Sequence, residues 1–329
     1  MDLTSEQLDR VAGVMLAAAA GDALGAGYEF GTAPYPGTPE MIGGGLGGFA
    51  PGEWTDDTAQ GFAILEVAAT GADLRTEVAL DAIAANFAEW YAAGPPDVGV
   101  QTSAVLSLAG RDATAAAMTE AARRVHERTG RSAGNGSLMR TAPVALAHLD
   151  DPDALVEAAL KVSALTHHDP VAGQACALWC LMIRHTVLEG EWPEPAGWTG
   201  FETLGGPDSA RPPAGYADWR AVLREAEMEG PGTFGQNAWV IGALQAAWSA
   251  ITHTPVPDGD PTRHLQDALA TAIGIGHDTD TVAAIAGALL GARWGADAVP
   301  DGWRALLHGW RDQTGDGLVE LARRTVRVR

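Results

Sequence analysis

The chain has 329 residues, and hydrophobic residues make up 47% of it, which allows a sizeable core and excludes an intrinsically disordered chain. Asp and Glu outnumber Lys and Arg by 42 to 21, and the net charge of -21 excludes a surface built to bind a nucleic-acid backbone or an anionic membrane. Lys161 is the one lysine of the sequence, so chemistry that depends on lysine, such as Schiff-base formation, is not expected.

The N-terminal segment predicts no targeting signal. It begins MDLTSEQL, which lacks the basic and then apolar pattern of a secretory signal. The apolar run Val11–Ala20 is shorter than the about 20 residues that a membrane span needs. We therefore expect a cytoplasmic protein.

Helical periodicity dominates the chain, and no convincing run of alternating strand residues occurs. Thr4 and Gln7 form a capping-box pattern ahead of a helix that we predict to run to about Ala20. Further helices are predicted, in chain order, over Thr58–Ala69, Thr76–Ala92, Ala113–Thr129, Asp153–Leu165, Val171–Glu189, Asn237–Ile251, Pro261–Ile273 and Thr281–Trp294. Gly287 and Gly291 lie four residues apart in the last of these, a spacing that suits close approach of two backbones.

The stretch between residues 190 and 235 is rich in Pro, Gly and Trp, with one short helix predicted near Asp218–Glu227. Its aromatic content is higher than that of a domain linker, so we predict an excursion packed on the helical body and a single domain over residues 1–329. Cys176 and Cys180 lie four apart in an apolar stretch, and we interpret them as buried small hydrophobes because no second Cys or His pair accompanies them.

Two short acidic motifs, Thr55-Asp56-Asp57 and Asp278-Thr279-Asp280-Thr281, precede predicted helices. Each one alone also fits an ordinary helix start, because Thr caps a helix and Asp suits its first turn. If the two motifs meet, they supply four carboxylates and, from Thr55 and Thr281, two hydroxyls, a set of hard oxygen ligands that suits Mg²⁺ or Mn²⁺. Four carboxylates that converge without a cation would repel one another, so convergence favours a metal site.

These motifs resemble the metal motifs of the ADP-ribosylglycohydrolase family. The resemblance continues in the same order from about residue 10 to 305, outside the excursion, through Gly21-Asp22-Ala23-Leu24-Gly25 with Glu29-Phe30, Asn135-Gly136-Ser137-Leu138-Met139-Arg140 with Pro143, Thr166-His167, Ala283–Gly295, Val299-Pro300 and Trp303. It implies the fold of that family, an all-α, compact orthogonal bundle of many helices.

The resemblance also implies a site with two divalent cations, Mg²⁺ or Mn²⁺, about 3.5–4 Å apart as in other two-metal sites. The implied ligands are Thr55, Asp56, Asp57, Asp278, Asp280 and Thr281. Asp280 is the candidate for the carboxylate that bridges the two ions and is therefore predicted to be catalytic.

Further residues take predicted roles from the same resemblance. Glu29 corresponds to a mobile glutamate near the scissile ribose, and Asp97 corresponds to a residue that faces the substrate, so both are predicted to be catalytic. The loop Asn135-Gly136-Ser137 is predicted to contact the ribose and the diphosphate, and His167 is predicted to lie at the substrate pocket. His277 departs from the family pattern, which has a small or amide residue there, and leaves the fine substrate preference open.

The implied activity is metal-dependent hydrolysis of the glycosidic bond between ADP-ribose and a modified acceptor. ADP-ribosyl-arginine is the favoured substrate, since the stretch around Asp97 resembles the bacterial arginine-type branch of the family and a carboxylate can stabilise a guanidinium. The expected partners are an ADP-ribosylated protein or small molecule and the product ADP-ribose. The alternatives are the same hydrolysis on a serine, O-acetyl or small-molecule linkage, and a non-catalytic relative that binds ADP-ribose.

Two other functions are disfavoured. Residues 43–48 contain a G-x-G-x-x-G pattern, but no strand is predicted before it and no helix after it, so a dinucleotide-binding fingerprint is not supported. A nucleoside ribohydrolase also uses clustered aspartates, but it would need an α/β fold, which the helical pattern contradicts.

Overall fold

The computed structural model describes residues 2–111, 113–194, 198–205 and 217–327. These residues form fifteen α-helices and one two-stranded antiparallel ribbon. The helices are α1 (Ser5–Gly25), α2 (Asp56–Ala68), α3 (Glu77–Ala92), α4 (Val100–Ala109), α5 (Ala115–Thr129), α6 (Ala142–Ala147), α7 (Pro152–Ala164), α8 (Pro170–Glu189), α9 (Gly200–Gly205), α10 (Trp219–Met228), α11 (Val240–His253), α12 (His264–Gly274), α13 (Thr279–Trp294), α14 (Asp301–Leu306) and α15 (Gly315–Arg327). In the ribbon, β1 (His308–Gly309) pairs with β2 (Gln313–Thr314). The all-α prediction is confirmed.

The capping box at the start of α1 is present as predicted, since the side chains of Thr4 and Gln7 each accept a hydrogen bond from the backbone amide of the other. The helix continues past Ala20 to Gly25, however. The reason is tertiary: Gly21 and Gly25, which weaken an isolated helix, lie here against the backbone of α13.

The backbones of α1 and α13 approach each other too closely for side chains at the contact. A Cβ atom added to Gly291 would lie 2.0 Å from the carbonyl oxygen of Gly13, and one added to Gly287 would lie 2.2 Å from that of Ala17. The predicted use of this glycine pair is therefore confirmed. The two helices form the centre of the core, and the other long helices pack around them.

The long apolar helices are core helices. The segment Ser5–Gly31 and helix α8 are long and apolar enough to cross a membrane, but 100% and 78% of their most apolar windows are buried inside the protein. Cys176 and Cys180 on α8 are fully buried and free, as interpreted from the sequence. The cytoplasmic location and the single-domain organisation stay predictions.

Part of the excursion between residues 190 and 235 lies outside the described residues, namely 195–197 and 206–216. Trp198 and Phe201 pack against the core, and α10 forms close to its predicted position with Trp219 buried. Five helices were not predicted: α4, α6, α9, α14 and α15. The first four have ten residues or fewer. The segment that forms α15 begins with Gly315-Asp316-Gly317, which weakens the local helix signal, and the helix buries Leu318 and Ala322 against the body of the protein.

The helix contact generates a stability prediction. Gly291→Ala forces a methyl group against the Gly13 carbonyl, so we expect the free energy of unfolding to fall by about 1–3 kcal/mol. Gly302→Ala is the matched control, because a Cβ at Gly302 in α14 meets no atom within 4 Å. It should leave stability unchanged or raise it by up to about 1 kcal/mol. Urea unfolding measures both, and equal stability of the two variants would contradict the proposed constraint.

Candidate active site

The two acidic motifs meet where α2 and α13 begin. Asp57 on α2 accepts a hydrogen bond at 3.4 Å from the hydroxyl of Thr281 on α13, 224 residues away in sequence. Glu29, Asp278 and Asp280 each place a carboxylate oxygen within 4.8 Å of the other two, a group that could hold a metal ion. Glu29 therefore lies among the carboxylates that were predicted to bind metal.

Asp22 on α1 fixes the start of α2. This fully buried carboxylate accepts hydrogen bonds from the backbone amides of Thr55 and Thr58, both at 2.9 Å, and so pairs two amides of the kind that a helix N-terminus leaves without a partner. The sequence motif contained Asp22, but we assigned it no role. The signal was available, because a charged residue inside an apolar helix is rarely without function.

The same end of α1 fixes the start of α13. The hydroxyl of Thr279 donates to the carbonyl of Gly25 at 2.8 Å, and a Cβ atom at Gly25 would lie 2.5 Å from the Cα of Asp280. Any side chain at Gly25 would displace Asp280. Helix α1 therefore positions both acidic motifs.

Two asparagines hold Asp278. The side-chain amide of Asn135 donates to the Asp278 carboxylate at 2.7 Å and to the Asn237 carbonyl at 2.9 Å, while the Asn237 side chain accepts from the Asp278 amide at 3.1 Å. Asn135 thus orients a carboxylate in addition to its predicted substrate contact. Asn237 was not predicted as a site residue, because a lone Asn ahead of a helix carries no distinguishing pattern.

The buried carboxylates Glu29, Asp56, Asp57, Asp278 and Asp280 form what we call the acidic cluster. A cavity of about 370 Å³ opens onto it, and we call this cavity the reaction cavity. The predicted site residues that line it are Glu29, Asp56, Asp97, Asn135, Gly136, His167, Asp278, Asp280 and Thr281. The glycine-rich segment 43–48 contributes Leu46 to the lining. The predicted residues therefore share one cleft, apart from three.

Thr55, Asp57 and Ser137 are the three predicted residues that do not line the reaction cavity. Thr55 and Asp57 are buried beside it at the start of α2. The Ser137 hydroxyl faces the core, where it accepts from Ser163 at 2.9 Å and lies 3.4 Å from the sulfur of Cys176. Its predicted substrate contact is therefore restricted to backbone atoms, because a hydroxyl held by two buried partners is not available to a ligand.

The electrostatics of the acidic cluster fit a cation. Burial raises the pKa of Glu29 to about 8, with a further rise from Asp278, and burial with the neighbouring Asp97 raises the pKa of Asp56 to about 7. Burial also raises the pKa of Asp280 well above the usual range. Without a positive charge these groups resist ionisation, and a divalent cation reverses that preference.

Unpaired buried oxygen atoms point to the same conclusion. Among the described residues, Glu29 Oε2, Asp57 Oδ1 and Thr58 Oγ1 are buried without a hydrogen-bond partner. An acceptor in that state costs about 1–3 kcal/mol unless another group satisfies it. Two of the three are carboxylate oxygens of the acidic cluster. Their lone pairs have no hydrogen-bond donor, so they suit hard cations such as Mg²⁺ and Mn²⁺.

A buried hydrogen-bond chain joins the acidic cluster to His167. Gln60 donates to Asp56 at 2.9 Å, and the Arg140 guanidinium donates to Gln60 at 2.5 Å and to Thr166 at 2.7 Å. Thr166 also lies 2.7 Å from Nδ1 of His167. Burial, and then the charge of Arg140, lowers the pKa of His167 to about 3, so its imidazole is neutral.

This series of hydrogen bonds also determines which ring nitrogen of His167 carries the proton. The Thr166 hydroxyl accepts from Arg140, so its own proton is available to Nδ1 of the ring. The ring proton of the neutral imidazole then lies on Nε2. This nitrogen would lie 3.6 Å from a Cβ atom added to Gly134 and 3.4 Å from one added to Gly136. His167 thereby offers a neutral donor to the reaction cavity.

His277 has a backbone explanation. Its φ is 61°, in the left-handed region, and its carbonyl accepts from the amide of Phe30, whose φ is 46°. The side chain is exposed and does not line the reaction cavity, so His277 does not crowd the acidic cluster. A small or amide residue suits this position because Gly and Asn adopt a positive φ most easily.

We therefore expect His277→Gly to raise the free energy of unfolding by about 1 kcal/mol, the cost of holding a side chain in left-handed backbone. His277→Val should lower it, because a β-branched residue tolerates this region least. Thermal unfolding of both variants measures the difference. A more stable Val variant would show that the side chain, rather than the backbone, matters at this position.

The geometry defines a class of protein: an all-helical protein whose cleft gathers carboxylates that could hold metal ions. A family model described as ADP-ribosylglycohydrolase matches residues 3–329. The chain belongs to the ADP-ribosylglycohydrolase family, and it is accordingly a hydrolase that acts on glycosyl bonds. The family resemblance predicted from the motifs is confirmed.

Individual relatives agree with this assignment. The chain is 29% identical to the ADP-ribosyl-[dinitrogen reductase] glycohydrolase of Rhodospirillum rubrum, over 91% of this chain and 90% of that protein. It is 28% identical to the ADP-ribosylarginine hydrolase Tri1 of Pseudomonas putida (strain GB-1), over 92% and 75%. It is 27% identical to the human ADP-ribosylhydrolase ARH3, over 94% and 92%. A solved structure of an ADP-ribosylglycohydrolase-related protein complex superposes with a TM-score of 0.68 at 27% identity, covering 99% of each chain.

Proposed function

We propose that the protein hydrolyses the bond between ADP-ribose and a modified arginine side chain, with two divalent cations, Mg²⁺ or Mn²⁺, as cofactors. The observation that most directly supports this proposal is that Glu29, Asp278 and Asp280 converge beside a cavity that Asp97 also lines. A relative that is 28% identical carries the name ADP-ribosylarginine hydrolase, which favours arginine as the acceptor.

The cations would be held by Thr55, Asp56, Asp57, Asp278, Asp280 and Thr281. The unpaired oxygen of Asp57 and the raised pKa values of the buried carboxylates support this set. Glu29 supplies a further carboxylate within reach. When bound, the cations supply Lewis acidity, which lowers the pKa of water and stabilises negative charge.

ADP-ribose would occupy the reaction cavity with its diphosphate near the Asn135–Ser137 turn. A negatively charged ligand needs local donors on a protein of charge -21. The donors on this side are the backbone amide of Gly136 and Nε2 of His167, and the lack of a side chain on Gly136 leaves them accessible. Val98, Val100 and Ala238 offer an apolar wall for the adenine.

The residues of the chain would then move protons and hold charge. Water attacks the anomeric carbon through an oxocarbenium-like state, a C–O bond forms, and the bond to the guanidine nitrogen breaks. Glu29 takes the proton of the attacking water on its unpaired Oε2 and returns it to the departing guanidine. Asp97 stabilises the guanidinium that leaves.

The acceptor is tested with synthetic peptides that carry ADP-ribose on arginine or on serine. We expect release of ADP-ribose from the arginine peptide to be at least about ten-fold faster, since a carboxylate suits a guanidinium and not a hydroxyl. A chelator should abolish the reaction, and Mn²⁺ or Mg²⁺ should restore it. Cleavage of the serine peptide alone would overturn the choice of arginine.

The division of labour between Asp280 and Glu29 is tested by substitution. Asp280→Ala should abolish hydrolysis and weaken Mn²⁺ binding. Glu29→Gln should lower turnover by about 10²–10⁴, the usual contribution of a general base, while the affinity for ADP-ribose stays within a few-fold. Saturating Mn²⁺ removes any defect in metal affinity, and the exposed Glu40→Gln is the control. Full activity of Glu29→Gln would remove Glu29 from the catalytic set.

A further inference from the structure

A second cavity of about 210 Å³ adjoins the reaction cavity and shares Asp56 and Asp97 with it. We call it the aromatic compartment, because its wall includes four aromatic side chains and two prolines: Phe49, Trp54, Trp90, Trp310, Pro95 and Pro96. The two shared carboxylates make it continuous with the place where the scissile bond would lie. The proposed metal ligands Thr55 and Asp56 line one part of it, and none of the roles assigned so far uses its aromatic wall.

The compartment has the chemistry of a cation site. Three carboxylates line it, from Glu53, Asp56 and Asp97, and none of its described lining residues is Lys, Arg or His. Aromatic faces attract cations through their quadrupole, and the attraction grows when the cation is desolvated. Carboxylates beside such faces favour a flat, delocalised guanidinium, which can stack and hydrogen-bond at the same time.

The walls of the compartment are held by the rest of the fold. Trp54 and Trp90 are each 2% exposed, at the approach to α2 and near the end of α3. Trp310 follows β1 and packs edge-on against Phe62 at 5.8 Å between ring centroids. The Arg311 guanidinium lies 4.4 Å above the Trp310 ring, so the ring already stacks with a group of this type.

We propose that the aromatic compartment is the acceptor subsite, which receives the guanidinium and aliphatic stem of the modified arginine while ADP-ribose fills the reaction cavity. This inference rests on the proposed function and extends it to the position and chemistry of the acceptor. The rival occupant is adenine, which also stacks on aromatic rings. The charges oppose that rival, because Glu53 and Asp97, the two lining carboxylates outside the proposed metal set, would repel the attached diphosphate.

The first test separates acceptor binding from ADP-ribose binding. Trp310→Leu should raise the KM for the arginine peptide about ten-fold, which is the size of a desolvated cation–π contact. Its affinity for ADP-ribose, measured by calorimetry with Mn²⁺, should stay within two-fold or so of the unchanged protein. Trp303→Leu is the matched control, since both tryptophans are partly buried against the same core and Trp303 does not line the compartment.

Trp310→Phe, which keeps an aromatic face, should restore most of the lost affinity. If Trp310→Leu does not fold, Phe49→Leu in the same wall replaces it as the test. A KM equal to that of the control would overturn the proposal. A loss of affinity for free ADP-ribose that accounts for the whole rise in KM would overturn it as well, because it would place adenine in the compartment.

A second test does not depend on catalysis. Argininamide should bind the protein in the presence of ADP-ribose and Mn²⁺ and its neutral isostere citrullinamide should not. Trp310→Leu should weaken the binding of argininamide about ten-fold. If the arginine peptide is not hydrolysed but argininamide binds in this way, the proposed function fails and the subsite stands. If the peptide is hydrolysed but argininamide and citrullinamide behave alike, the subsite fails and the proposed function stands.

Discussion

Helix α1 can lie directly against α13 only because glycine occupies the contact positions. At Gly13, Gly21 and Gly25 the distance between the two backbones leaves no room for a Cβ atom. The contact does more than bury apolar surface, because Asp22 on α1 holds the start of α2 and the carbonyl of Gly25 holds the start of α13. A shift of α1 would therefore move both acidic motifs together, and the geometry of the cleft depends on this one helix pair.

The cleft concentrates negative charge on carboxylate side chains that are buried. Burial and mutual repulsion raise the pKa of every buried carboxylate in the cluster, and unpaired oxygens remain on Glu29 and Asp57. A protein selected for stability alone would replace such a cluster with apolar residues. Its retention makes sense when cations complete it, and the same cations would bring an anionic ligand to a strongly acidic protein.

The sequence was sufficient for the class of fold and for the motifs, because helical periodicity and the ordered set of short motifs are local patterns. It was not sufficient for the direction of individual side chains. Ser137 faces the core because Ser163 and Cys176 are there to pair with it, and no local pattern reveals those partners. Asn237 holds Asp278 through a backbone amide, a role that any residue pattern ahead of a helix would hide. The departure at His277 became interpretable only when its positive φ was known.

The pairing of α1 with α13 also has a consequence for biosynthesis. Gly13 leaves the ribosome long before Gly291, and at about 5–20 residues per second the interval is on the order of 15 to 60 s. During that time the first helix, which is apolar enough to resemble a membrane span, lacks its main partner, although α2, α6 and α8, which also contact it, emerge earlier. The face of α1 that α13 covers in the folded protein therefore stays without this partner through most of the synthesis of the chain. The cleft can form only after α13 has emerged, since Asp278 and Asp280 lie at its start.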